Sequence, residues 1–118
     1  MSRARHFRFA EMAAETPKPG IARRRVIGDK AMAAEIRLAK GAAAPMHSHP
    51  EEQIAVVLEG RLRFTLADGE GGAERVVEVG PGEAVVLPGG VPHAAEALED
   101  ARVIDVFAPP PEKMGIDG

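Results

Sequence analysis

With 118 residues and a net charge of −3, the chain is long enough for one domain with its own core, without disulfide support. It has no Cys, which excludes disulfides and thiolate metal sites, so any metal must be held by nitrogen and oxygen donors. No apolar run is long enough to span a bilayer, Trp and Tyr are absent, only four Phe occur, and the basic residues are scattered apart from Arg23-Arg24-Arg25. Membrane and nucleic-acid partners are therefore not expected, and the composition suits a cytoplasmic protein. The Arg-rich start from Met1 to Phe9 lacks the apolar core of a signal peptide.

In chain order, residues 1–20 read as a lead-in segment. Phe7 to Met12 suits a short edge strand or turn, and Thr16-Pro17-Lys18-Pro19-Gly20 breaks whatever precedes it. Ile21 to Ile27 has strand character, and its arginine run reads as a solvated or edge-strand feature. Lys30 to Leu38 contains good helix formers, but Met32, Ala34, Ile36 and Leu38 recur with period two, and that alternation predicts a strand.

Gly41 and the following Ala42-Ala43-Ala44-Pro45-Met46 punctuate the chain before Gln53 to Leu58, a β-rich run closed by Glu59-Gly60. Arg61 to Leu66 alternates cleanly, with Leu62, Phe64 and Leu66 on one face. A Gly-rich turn over 68–73 leads to a strand over 75–79, and Gly80-Pro81-Gly82 turns the chain into 83–87. The last strand runs from Arg102 to Phe107 and exits through Pro109-Pro110-Pro111. Short strands separated by Gly/Pro turns at this spacing predict an all-β sandwich or barrel.

Three of the four histidines fall in one constellation. His47 and His49 are one residue apart, so they share a face of an extended segment, and Gln53 can bring an amide oxygen to the same point. His93, from a later strand, would close the site. We read His47, His49, Gln53 and His93 as the ligands of one divalent metal, with zinc, nickel, iron, manganese and cobalt all compatible with imidazole. The neighbouring Glu51 and Glu52 are expected to face solvent, and His6 lies outside the pattern. Asp105 alternates with Val103 and Phe107, so it either faces the lumen as a general acid/base, or sits in the opposite phase, exposed or paired with an arginine.

Gly41-x5-His47-x-His49-x3-Gln53-x6-Gly60 resembles the first motif of the cupins, and Gly82-x5-Pro88-x-Gly90-x2-His93 resembles the second. The resemblance covers roughly residues 35–108 and implies a single-domain double-stranded β-helix, or jelly-roll barrel. The barrel is expected over 21–108, with a C-terminal tail over 109–118. Ala55, Val57 and Ala95 are expected among the small apolar groups of its lumen. Two positions depart from the motifs: the usual Glu is Gln53, and the Asn that often ends the second motif is Ala97. A neutral amide in place of a carboxylate leaves the metal's charge uncompensated, which favours Lewis-acid chemistry.

Within the cupins, His-x-His-Pro-x-Glu-Gln, Pro-Gly-Gly-Val-Pro-His and Asp-Val-Phe-Ala-Pro-Pro are similar to the pectin-degradation cupins of the KdgF type. That resemblance implies an isomerase that linearises 4,5-unsaturated uronates to keto-uronates. The metal would sit on His47, His49, Gln53 and His93, with Asp105 and Phe107 flanking a small-molecule substrate. The family's arginine after the Asp-x-Phe segment is absent, since Pro111 stands there. The resemblance also implies a homodimer paired through edge strands. A metal-dependent dioxygenase and a non-catalytic cupin binding a small ligand are the alternatives.

Overall fold

Extended segments that bury one row of side chains, most regularly over Glu52–Glu59 and Leu62–Leu66, build two antiparallel sheets that enclose one core. A computed structural model describes residues 3–112; the first two residues of the lead-in and the tail beyond Glu112 lie outside the described residues. The strands are β1 (Glu15–Lys18), β2 (Ile21–Ile27), β3 (Met32–Leu38), β4 (Ala43–His47), β5 (Glu52–Glu59), β6 (Leu62–Leu66), β7 (Arg75–Val79), β8 (Ala84–Leu87), β9 (His93–Ala97) and β10 (Ala101–Ala108). One sheet has the order β1-β2-β3-β10-β5-β8, the other β4-β9-β6-β7. The chain crosses repeatedly from one to the other, as the jelly-roll expectation requires.

The two sheets bury facing rows of side chains. Met32, Ala34, Ile36 and Leu38 of β3 lie beside Val103 and Phe107 of β10, opposite Leu62, Phe64 and Leu66 of β6. Each large apolar side chain so buried contributes on the order of 1.5–3 kcal/mol. The period-two reading of β3 holds even though its composition suits a helix, because packing on a pleated face overrides propensity.

Two local expectations are corrected and an open one is decided. Glu15–Lys18 forms a strand where a break was expected; β1 pairs only with β2, and an edge strand tolerates Pro17. Of the two alternatives for Phe7–Met12, the turn is the one that forms, as a single 3-10 turn over Phe9–Glu11. The Ala-rich punctuation before the histidines is itself β4, which pairs with β9 and so carries His47 into the sheet.

Candidate metal centre

The end of β4 and the start of β9 place His47 and His93 opposite one another as cross-strand partners. After His47 the chain bends through His49 and enters β5, whose inward-facing Gln53 is buried. Two loops are clamped together to bring these strand ends into register. The Gly90 N–H donates to the His49 carbonyl over 2.8 Å. Gly89 lies so close to the Pro50 carbonyl that a Cβ there would overlap it. Sequence reasoning assigned no role to Gly89, because a requirement for close backbone approach becomes visible only when the two loops meet.

Each of the three imidazoles is oriented by a backbone carbonyl. His47 Nδ1 lies 2.7 Å from the Pro45 oxygen, His49 Nδ1 2.9 Å from Glu51, and His93 Nδ1 2.9 Å from Val91. A carbonyl only accepts, so Nδ1 carries the proton in all three rings and Nε2 presents a lone pair. Burial holds the His93 pKa below its ordinary value, against the opposing effect of the Val91 carbonyl, and the neighbouring His47 and His49 lower it further. A neutral imidazole is the form that ligates metal.

The Nε2 atoms of His47 and His93 are buried without any hydrogen-bond partner. Ligand atoms of the three histidines lie within 4.8 Å of one another. Gln53 Oε1 is 3.2 Å from His49 Nε2, and with the His49 proton on Nδ1 this sets two acceptors face to face. A polar atom left unpaired in the interior is costly, and two opposed acceptors are repulsive unless a cation lies between them. The three histidines can hold a metal ion, and the Gln53 oxygen fits as a further oxygen donor.

Asp105 lies on the wall of the same cavity and hydrogen-bonds the Gln53 side chain. Burial raises its pKa to about 6, opposed by that hydrogen bond and by the charge of His49. By surface exposure Asp105 is only half-buried, yet protein atoms surround it closely. The crowding dominates, since a carboxyl on a largely apolar cavity is poorly hydrated even where part of its surface is open. Phe107 is 1% exposed, and its ring meets that of His49 with centroids 5.7 Å apart, so it packs against that imidazole and does not line the cavity.

Other expectations about the surroundings change. Ala95 lines the cavity, but Ala55 and Val57 are sealed in the core, and the wall is made instead by larger groups, including Ile36, Leu38, Leu62, Phe64 and Val103. Among the described residues no Lys or Arg lines it. Glu52 is exposed as expected, whereas Glu51 is partly buried, with its carboxylate 3.6 Å from His49 Nδ1.

Residues 34–107 match the cupin domain family. The chain belongs to the cupins. Among solved structures, this cupin is similar to KdgF from Halomonas sp., with a TM-score of 0.81 and 31% identity over 93% of this chain and 97% of that one. It is also similar to oxalate decarboxylase from Bacillus subtilis, in the structure at pH 4.6, with a TM-score of 0.77 and 29% identity over 86% of this chain and 28% of that one. Among curated proteins it is 34% identical to oxalate decarboxylase OxdC of Bacillus subtilis (strain 168) over 82 residues, 69% of this chain. The cupin spans about 21% of the length of that relative. A further structure of the Bacillus enzyme concerns its Mn(II) centres.

Proposed function

We propose that this cupin is a metal-dependent enzyme acting on a small oxygenated substrate, most concretely the linearisation of a 4,5-unsaturated uronate to a keto-uronate. The observation that carries this reading is the convergence of three imidazole lone pairs, two of them, on His47 and His93, with no other partner and in residues that line one cavity with Asp105. The likeness to KdgF over nearly the full length of both chains supports the narrower assignment. His47, His49, Gln53 and His93 are the proposed ligands. A divalent metal held there supplies Lewis acidity to a substrate hydroxyl or carbonyl oxygen.

The chain's own residues supply the rest. Asp105, hydrogen-bonded to Gln53 and open to the cavity, is the group to hold and return the proton that ring opening and tautomerisation move. Phe107 flanks the site by holding the His49 ring at its edge. Ile36, Leu62 and Phe64 exclude water from the far side. The test is to load the protein with zinc, nickel, manganese, cobalt or iron and follow unsaturated monouronates by loss of ultraviolet absorbance. Loss of absorbance in the wild type that disappears in His93→Ala supports the reading, and no turnover with any metal overturns it.

One observation favours a second reading, a non-catalytic cupin that takes a small ligand. The cavity wall among the described residues is largely apolar and offers no cation to a carboxylate. That reading predicts a rise in melting temperature with ligand and no product.

A further inference from the structure

On the outer face of the large sheet, away from the metal cavity, a second cavity lies between the N-terminal segment and strands β2, β3 and β10. It is lined by Arg8, Arg24, Arg37 and Arg102 around a single carboxylate, Glu35, with Phe9 and Ala10 closing one side. This concentration of positive charge stands out in a chain whose net charge is −3.

Glu35 explains only part of it. The carboxylate is 3% exposed and needs charged partners, and two arginines supply them. Arg24 Nη1 donates to Oε1 over 3.1 Å and Arg102 Nε to Oε2 over 2.8 Å. Arg24 Nε is also occupied, donating to the Met12 carbonyl over 2.8 Å, which pins the N-terminal segment onto the sheet. Both carboxylate oxygens therefore have a close donor before Arg37 and Arg8 are considered.

Those two are in excess. Arg37 approaches Glu35 no nearer than 3.7 Å, and its side chain is 56% exposed. Arg8 makes only a 3.8 Å contact with the exposed Glu11. Glu59 and Asp100 border Arg37 and Arg102 from the neighbouring cavity, but no ion pair joins them among the described residues. Gathering guanidinium groups around one carboxylate costs Coulomb energy that an anion in the cavity would offset. Planar forks of N–H donors select forked oxygen acceptors.

We propose that this cavity binds a small dianion with forked oxygens, a phosphate or a dicarboxylate, through Arg8, Arg37 and Arg102, with Glu35 holding the arginines in place. The site is independent of the metal cavity, which lies on the opposite face of the same sheet.

The test is titration calorimetry of the full chain at low ionic strength with inorganic phosphate and, separately, with malonate. Two variants accompany the wild type: Arg8→Gln/Arg37→Gln, whose exposed side chains leave the fold intact, and His47→Ala/His93→Ala, which removes the metal site. The expected result is saturable binding of one anion per chain. It should weaken by about tenfold or more in the arginine variant and persist in the histidine variant. The tighter of the two probes identifies the ligand as phosphate or carboxylate. Absence of saturable binding by both anions overturns the proposal. So does unchanged binding in the arginine variant, or binding lost in the histidine variant, which would place the anion on the metal.

Discussion

His47 and His93 are cross-strand partners in the β4–β9 ladder, their ring centroids 4.4 Å apart, and each leaves its Nε2 buried without a partner. Two sheet strands thus hold the lone pairs rigidly, while the backbone carbonyls of Pro45 and Val91 fix which nitrogen carries the proton. Elemental mass spectrometry of untagged protein should find close to one metal per chain. Gln53→Ala/His93→Ala should lose it, with affinity reduced by about 100-fold or more, since even outer-shell changes cost 10–100-fold. Because the site forms only on folding, metal at 100 times its dissociation constant should stabilise the protein by about 2.7 kcal/mol, and a chelator should remove that gain. A wild type that takes up no metal after reloading would contradict this.

Asp105→Asn separates metal binding from proton chemistry. Asn still accepts the hydrogen bond from Gln53, so metal content should be unchanged while turnover falls by about 100-fold or more, the usual contribution of a general acid/base. A fully active Asn variant would remove Asp105 from the mechanism.

The same residue has a stability signature in metal-free protein. Its folded pKa, about 6, lies above the ordinary value of 3.8, so its contribution is fully present below pH 3.8 and is lost as pH rises through about 6. Asp105→Asn should therefore stabilise the metal-free protein at pH 8, by about 1–3 kcal/mol, and have little effect near pH 3.5. Urea melts at the two pH values measure the difference, and an equal effect at both would show that the carboxyl is not desolvated.

Two glycines carry different constraints. Gly60 has φ of +79°, and a Cβ there would overlap the Asp100 carbonyl; Gly89 faces the Pro50 carbonyl in the same way. Gly60→Ala should cost stability, about 2 kcal/mol or more, with metal affinity little changed once the protein is folded. Gly89→Ala should instead push the His93 loop away from the His49–Pro50 loop and weaken metal binding. Chemical melts beside metal titrations distinguish the two, and intact affinity in Gly89→Ala would show that the clamp is dispensable.

The contrast between Gly60 and Gly89 illustrates what the sequence made legible. Gly60 ends a β-rich run and belongs to a spaced motif, so its turn could be read directly, as could the alternation of β3, β6 and β10. The strand β1 could not, because Pro17 is admissible only on an edge, and which strand lies at an edge is a property of the assembled sheet. Alternation put Asp105 in one row with Val103 and Phe107 but left the phase of that row open, and the assembled sheets place it on the cavity wall. The arginine run resisted reading for a related reason: Arg23 is 4% exposed and pairs with Glu15, while Arg24 points to the other face and meets Glu35. Those partners come from strand register. Linear spacing does not encode that Arg24 stands directly across from Glu35 on one neighbouring strand while Arg102, the cross-strand partner of Arg37, reaches Glu35 diagonally from the other.

Glu35 supplies a pH prediction of the opposite sign to Asp105. Burial alone would raise its pKa, but the hydrogen bond and charge of Arg102, the charge of Arg37 and the hydrogen bond of Arg24 together carry it below 4.5. A carboxylate with a lowered folded pKa contributes stability that is present above its unfolded value and lost as pH falls through the folded one. Stability should therefore decline below about pH 4.5 as Glu35 is protonated and its arginines lose their counter-charge. Glu35→Gln should destabilise the protein at pH 7 by about 3 kcal/mol, the lower end for breaking a buried pair, because Arg24 and Arg102 keep partial access to water. The variant should also show a shallower loss between pH 5 and pH 3 than the wild type. Denaturant melts across that range would test both parts, and parallel pH profiles for the two proteins would show that Glu35 is not ionised by its arginines.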